Sequence, residues 1–96
     1  MTKKVYILRC NWYICLEGDH DNVAVYDNKL SACKALKKYV DNEKSTVLTD
    51  FFSNGELISN NYVDDYEERD DYFFFTTKCG EYNIKVYIES FDMVSN

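Results

Sequence analysis

The chain has 96 residues, a formal net charge of −6, 46% hydrophobic residues, 17% aromatic residues and no proline. That much apolar side chain excludes a disordered segment, which needs low hydrophobicity as well as charge, and the length suits one domain with a single core. The charge is unevenly held: residues 1–44 carry eight Lys/Arg against six Asp/Glu, whereas residues 45–96 carry three against eleven. Neutralising phosphates requires Lys and Arg, so direct nucleic-acid binding is not expected of the second half.

Lys4 to Leu16 alternates strictly, with Tyr6, Leu8, Cys10, Trp12, Ile14 and Leu16 on one side, and predicts a strand covered on one face. Glu17 to Asn22 is polar, contains Gly18 and is expected to turn, so that Val23 to Tyr26 returns as a short second strand. Asp27 or Asn28 can cap a following helix through its side-chain oxygen. Leu30, Cys33, Leu36 and Val40, widened by Ala32, Ala35 and Tyr39, form the apolar stripe of that helix, which should end near Asn42. Lys29, Lys34, Lys37 and Lys38 fall outside the stripe and read as a solvated face.

Residues 45–61 admit two readings. Val47, Leu48, Phe51 and Phe52 have helical spacing, but Asn54-Gly55 is a strong hairpin signal among β-branched and aromatic residues, and the hairpin is favoured. Tyr62 to Asp71 reads as an exposed loop or a short acidic helix. From Tyr72 the chain extends again through YFFFTTK, turns at Cys79-Gly80, and returns with Tyr82, Ile84, Val86 and Ile88 on one face, fraying after Phe91. The expected fold is α+β over residues 1–96 as a single domain: an antiparallel sheet of four to six strands with one principal helix packed on one face.

The acidic run carries the strongest functional signal. Asp64, Asp65, Glu67, Glu68, Asp70 and Asp71 crowd six carboxylates around Arg69, with Tyr62, Tyr66 and Tyr72 interspersed. One reading is a solvated segment that maintains solubility. The other is an anion array that docks on a basic partner, with tyrosines as anchors. In an extended chain, alternate carboxylates would stand about 6.6 Å apart, a scale on which they can substitute for successive backbone phosphates.

Other constellations are weaker. Glu17, Asp19, His20 and Asp21 offer oxygen and imidazole ligands, but their spacing matches neither a calcium loop nor a zinc site, so a polar turn is the better reading and no metal is expected. Cys10 and Cys15 would face opposite sides of a strand, Cys33 belongs to the helix stripe, and Cys79 sits beside a turn. No CxxC pair, secretory leader or membrane-length apolar run occurs, which suggests reduced thiols, no membrane and a cytoplasmic location. Phosphate-cradling loops, HExxH and the nucleophile elbow are missing, and neither catalytic residues nor a cofactor are expected.

The order strand, polar turn, strand, Asp/Asn-capped lysine-rich helix, acidic segment and C-terminal G-x-Y hairpin resembles small, functionally unassigned proteins of low-GC Gram-positive bacteria and their phages. The resemblance rests on KVYILRCNWYI, VAVYDNKLSACKALKKYV and CGEYNIKVYIE. In type, the acidic chain is similar to phage-encoded inhibitors of host defence, including anti-CRISPR proteins, several of which imply occupancy of a nuclease's DNA-binding groove by carboxylates. That resemblance implies a non-enzymatic inhibitor, in the cytoplasm of the host cell, of a basic nucleic-acid-handling nuclease or defence complex, and transfers no binding residue. The alternatives are a small-molecule or nucleotide-sequestering module lined by Trp12 and tyrosines, and a homo-oligomer formed through sheet edges.

Overall fold

The computed structural model describes residues 2–14, 18–58, 61–78 and 80–94. The chain runs β1 (Thr2–Ile14), β2 (Gly18–Tyr26), α1 (Lys29–Thr46), β3 (Phe52–Ser53), β4 (Glu56–Leu57), β5 (Val63–Arg69), β6 (Tyr72–Thr77) and β7 (Tyr82–Val94). Five strands form one antiparallel sheet in the order β2-β1-β7-β6-β5, and β3-β4 is a separate hairpin. The fold is α+β, with α1 across one face of the sheet. The 13-residue β1 and β7 stretch the molecule to 52 Å in its longest dimension. Its radius of gyration of 15.0 Å accordingly exceeds the roughly 12–13 Å of a compact chain this long.

Alternation decides which residues meet the helix. Register aligns Cys10, Val86, Phe73 and Glu68 across four strands, and beside them Trp12, Ile84, Phe75 and Tyr66. Over these rows α1 lays Ala32, Leu36, Val40 and Lys44, each one helical turn from the last and each buried. The stripe is therefore rotated from the expected one: Leu30 stays 66% exposed and Cys33 is half-buried. Asn28 is the N-cap, its side-chain oxygen accepting from the Ser31 amide at 2.8 Å. The helix also outlasts its expected end near Asn42, because Lys44 is anchored beneath it.

Three further expectations are corrected. Residues 18–22 belong to β2, since pairing with Asn11 to Ile14 of β1 overrides their turn composition. The acidic stretch is neither loop nor helix but edge strand β5, paired with β6 from Val63–Thr77 to Arg69–Tyr72. After Phe91 the strand continues, and Val94 lies opposite Thr2. In residues 45–61 both signals have a structural counterpart. Leu48 accepts from the amides of Phe51 and Phe52 in one helical turn, and the hairpin then turns at Asn54 (φ 53°) and Gly55 (φ 81°). Two positive φ values in sequence define the primed turn that Asn-Gly favours, and nothing crowds Gly55, so its backbone angle alone demands glycine.

Beneath α1 the core holds a small titratable cluster. Burial, then the Glu43 carboxylate, pushes the Cys10 thiol up to about 11; burial, then Glu43, raises Tyr39 further; burial raises Glu43 itself. The Tyr39 hydroxyl lies beside the Trp12 indole but is buried without a well-formed hydrogen bond. Raised pKa values of this kind mean that the unfolded chain loses these protons first. Stability from Cys10 is complete below the thiol's ordinary 9.0 and is lost as pH rises toward about 11. Tyr39→Phe removes one such proton and an unsatisfied hydroxyl, so denaturant titrations should show it about 1 kcal/mol more stable at neutral pH and less alkali-sensitive. A destabilised Tyr39→Phe would mean that the hydroxyl has a partner.

Candidate functional site

Strand alternation and one irregularity sort the acidic run into different environments. Between Val63 and Asp65 the register slips by one residue, a β-bulge that puts both Val63 and Tyr66 against the core although they are three apart. Beyond the bulge, Tyr66 and Glu68 lie on the helix side and Asp65, Glu67 and Arg69 on the opposite side.

Glu68 is an internal ligand for a buried cation. Its two carboxylate oxygens accept from Lys44 Nζ at 2.7 and 2.9 Å, and the same ammonium donates to the Gly55 carbonyl at 2.9 Å. Lys44 is only 5% exposed and lies over the rings of Phe52 and Phe73, 5.0 and 5.9 Å from their centroids. The Tyr66 hydroxyl donates to Glu68 Oε1 at 2.6 Å, and burial, then this carboxylate, raises its pKa. One lysine thus joins α1, the β3–β4 turn and β5. No sequence expectation involved it, although it lies four residues after Val40 on the buried stripe.

The other carboxylates face outward. Asp64, Asp65, Glu67 and Asp70 are exposed, and Asp71 is half-buried. Glu67 pairs with Arg69 at 3.3 Å, while Asp65 accepts from the Tyr66 amide at 2.9 Å. Among the tyrosines, Tyr62 is 67% exposed and Tyr66 is turned inward. Tyr72 lies on the sheet face away from the helix, with the Arg69 guanidinium 4.9 Å and the Lys85 ammonium 6.0 Å from its ring centroid. Lys85 also sits 4.8 Å from the Tyr87 centroid, and Phe74 flanks Tyr72 at 6.4 Å, so the acidic edge adjoins an aromatic, partly cationic sheet face.

The remaining candidates do not converge. Asp19, His20 and Asp21 occupy successive positions of β2 rather than a tight turn, and Glu17 lies outside the described residues, as do Cys15 and Cys79. Among the described residues no group of three His, Cys, Asp or Glu is placed to hold a metal ion. Cys10 is buried and Cys33 half-buried, both as free thiols. Trp12 packs against the core, and neither of the grooves of about 590 and 610 Å³ is lined by it. Among the described residues no helix is long and apolar enough to cross a membrane.

The fold and its acidic edge define a small α+β domain with a charged, solvent-facing edge strand. Compared with protein-family models, curated proteins and solved structures, the chain matches none.

Proposed function

We propose that the protein is a non-catalytic binding protein that presents the outer side of the β5–β6 hairpin to a basic protein partner. The observation that carries this reading is the pairing of β5 with β6, which backs the strand on which Asp64, Asp65 and Glu67 are exposed, with Asp70 exposed in the turn that follows. An edge strand needs only a charge or two to block unwanted pairing; a denser array supports a complementary surface that speeds encounter and fixes orientation. Asp65 and Glu67, alternate residues on the outer side of β5, stand at roughly twice the strand rise, a spacing that suits successive phosphates. The partner class that follows is a nucleic-acid-handling protein, such as a nuclease of a host defence complex, inhibited by occupation of its phosphate-binding surface. Tyr62 is the anchor best placed for contact, with Tyr72 at the margin.

The test separates binding from folding by leaving Glu68 intact. A partner captured from host lysate should associate more slowly as salt rises and should be displaced by nucleic acid. Asp64→Asn, Asp65→Asn, Glu67→Gln and Asp70→Asn combined should slow association about tenfold or more without lowering the melting temperature. Association indifferent to both ionic strength and these four changes would overturn the reading.

A further inference from the structure

On the helix flank facing the β5–β6 hairpin, the rotation of the apolar stripe leaves a groove of about 590 Å³, within the range of small-molecule sites. Leu30 and the half-buried Cys33 form its accessible apolar wall, with the buried Leu36 and Val40 behind them, and Leu30 is 66% exposed. Burial raises the Cys33 pKa more than Lys29 lowers it, with Asp71 and Asp70 adding to the rise, so at neutral pH the thiol stays an uncharged part of that wall.

The rim has the opposite sign to the molecule. Lys29, Lys34 and Lys37 line it against Glu68 and Asp70, in a chain whose net charge is −6, while the Arg69 guanidinium turns away over Tyr72. Glu68 is already matched by Lys44, Lys37 pairs with Asp41 at 3.4 Å, and Arg69 pairs with Glu67. Lys29 and Lys34 have no carboxylate within ion-pair distance among the described residues. Their flexible stems can lie along an apolar body while their ammonium groups meet an anionic head. An apolar wall beneath unmatched cations selects against neutral lipids, which leave the ammonium groups unused, and against simple anions, which leave the wall wet.

We propose that the groove between α1 and the β5–β6 hairpin binds a small amphipathic anion, an organic acid with an apolar body such as a medium-chain fatty acid. The site shares Asp70 with the outward carboxylates and does not depend on their docking role. Calorimetric titration of the full chain with decanoate below its micellar range tests it, alongside decanol, decyltrimethylammonium and acetate. Decanoate should bind saturably, one per chain, and about tenfold or more tighter than the other three.

Lys29→Ala with Lys34→Ala should weaken decanoate about tenfold while leaving decanol unchanged. Leu30→Ser should weaken both, and Lys78→Ala, at the far end of β6, should weaken neither; circular dichroism verifies that each variant folds. The proposal is overturned by absent or non-saturating decanoate binding, by equal binding of acetate or decanol, or by equal sensitivity to Lys78→Ala. It is also overturned if the two lysines instead govern a salt-sensitive self-association, which would give the groove to the acidic hairpin of a second copy.

Discussion

Glu68→Ala should destabilise the protein by about 3 kcal/mol, far more than loss of any other carboxylate in the acidic run. The reason lies in its partner. Lys44 is 5% exposed, and among the described residues its ammonium without Glu68 keeps the Gly55 carbonyl and the two phenylalanine rings. The lower end of the range for breaking a buried pair applies because the Glu68 side chain is 33% exposed and water reaches it. For a domain of this size the melting temperature should drop by roughly 12 to 24 °C.

Lys44→Met should cost less than Glu68→Ala, since the carboxylate left behind can be hydrated and still accepts from Tyr66. Lys44→Met with Glu68→Leu should recover most of the loss, because matched apolar groups replace a matched ion pair. Thermal unfolding of the three variants decides the point. A Glu68→Ala effect below about 1 kcal/mol would place the pair among ordinary surface salt bridges. The two chemistries of the run then become separable: Glu68 holds the edge strand in place, and the exposed acids remain free to meet a partner.

How far the sequence reveals this arrangement depends on whether local or distant contacts decide each element. The alternation of Tyr6 to Trp12 and of Tyr82 to Ile88, the Asn28 cap and the Asn54-Gly55 turn are local signals, and each has its expected structure. The acidic strand was not legible because Asp and Glu are poor strand formers. What extends β5 is its ladder with β6, whose own inner residues Phe73 and Phe75 are fixed in the core. The same holds for residues 18–22, whose composition suggests a turn until β1 supplies a partner. Lys44 was hidden for a different reason: a charge on a buried stripe looks like the end of the helix until its counter-ion, 24 residues away, is known. The inward turn of Tyr66 was equally illegible, because a single bulge resets the alternation from which its direction would be read.

Phe75→Ala should be the most damaging single truncation, costing about 4 kcal/mol out of a typical total of roughly 5 to 15. The ring is fully buried, with centroids 5.2 Å from Phe51, 5.5 Å from Phe52 and 6.5 Å from Tyr66, and its strand neighbours in register are Ile84 and Tyr66. Phe51 and Phe52 come from the short segment between α1 and the β3–β4 turn, and Tyr66 from the acidic edge, so one side chain ties two otherwise lightly held elements to the sheet. Removing it opens a cavity that two-residue strands cannot collapse to fill. Phe74→Ala, one residue away but on the outer face and only half-buried, should cost about half as much or less. Chemical denaturation of the two variants gives the comparison directly. Equal losses would mean that the outer face is covered as completely as the inner one. If the expected asymmetry holds, Phe75→Ala should also weaken binding of the proposed partner without altering a single charge, because Tyr66 on the acidic strand packs against that ring.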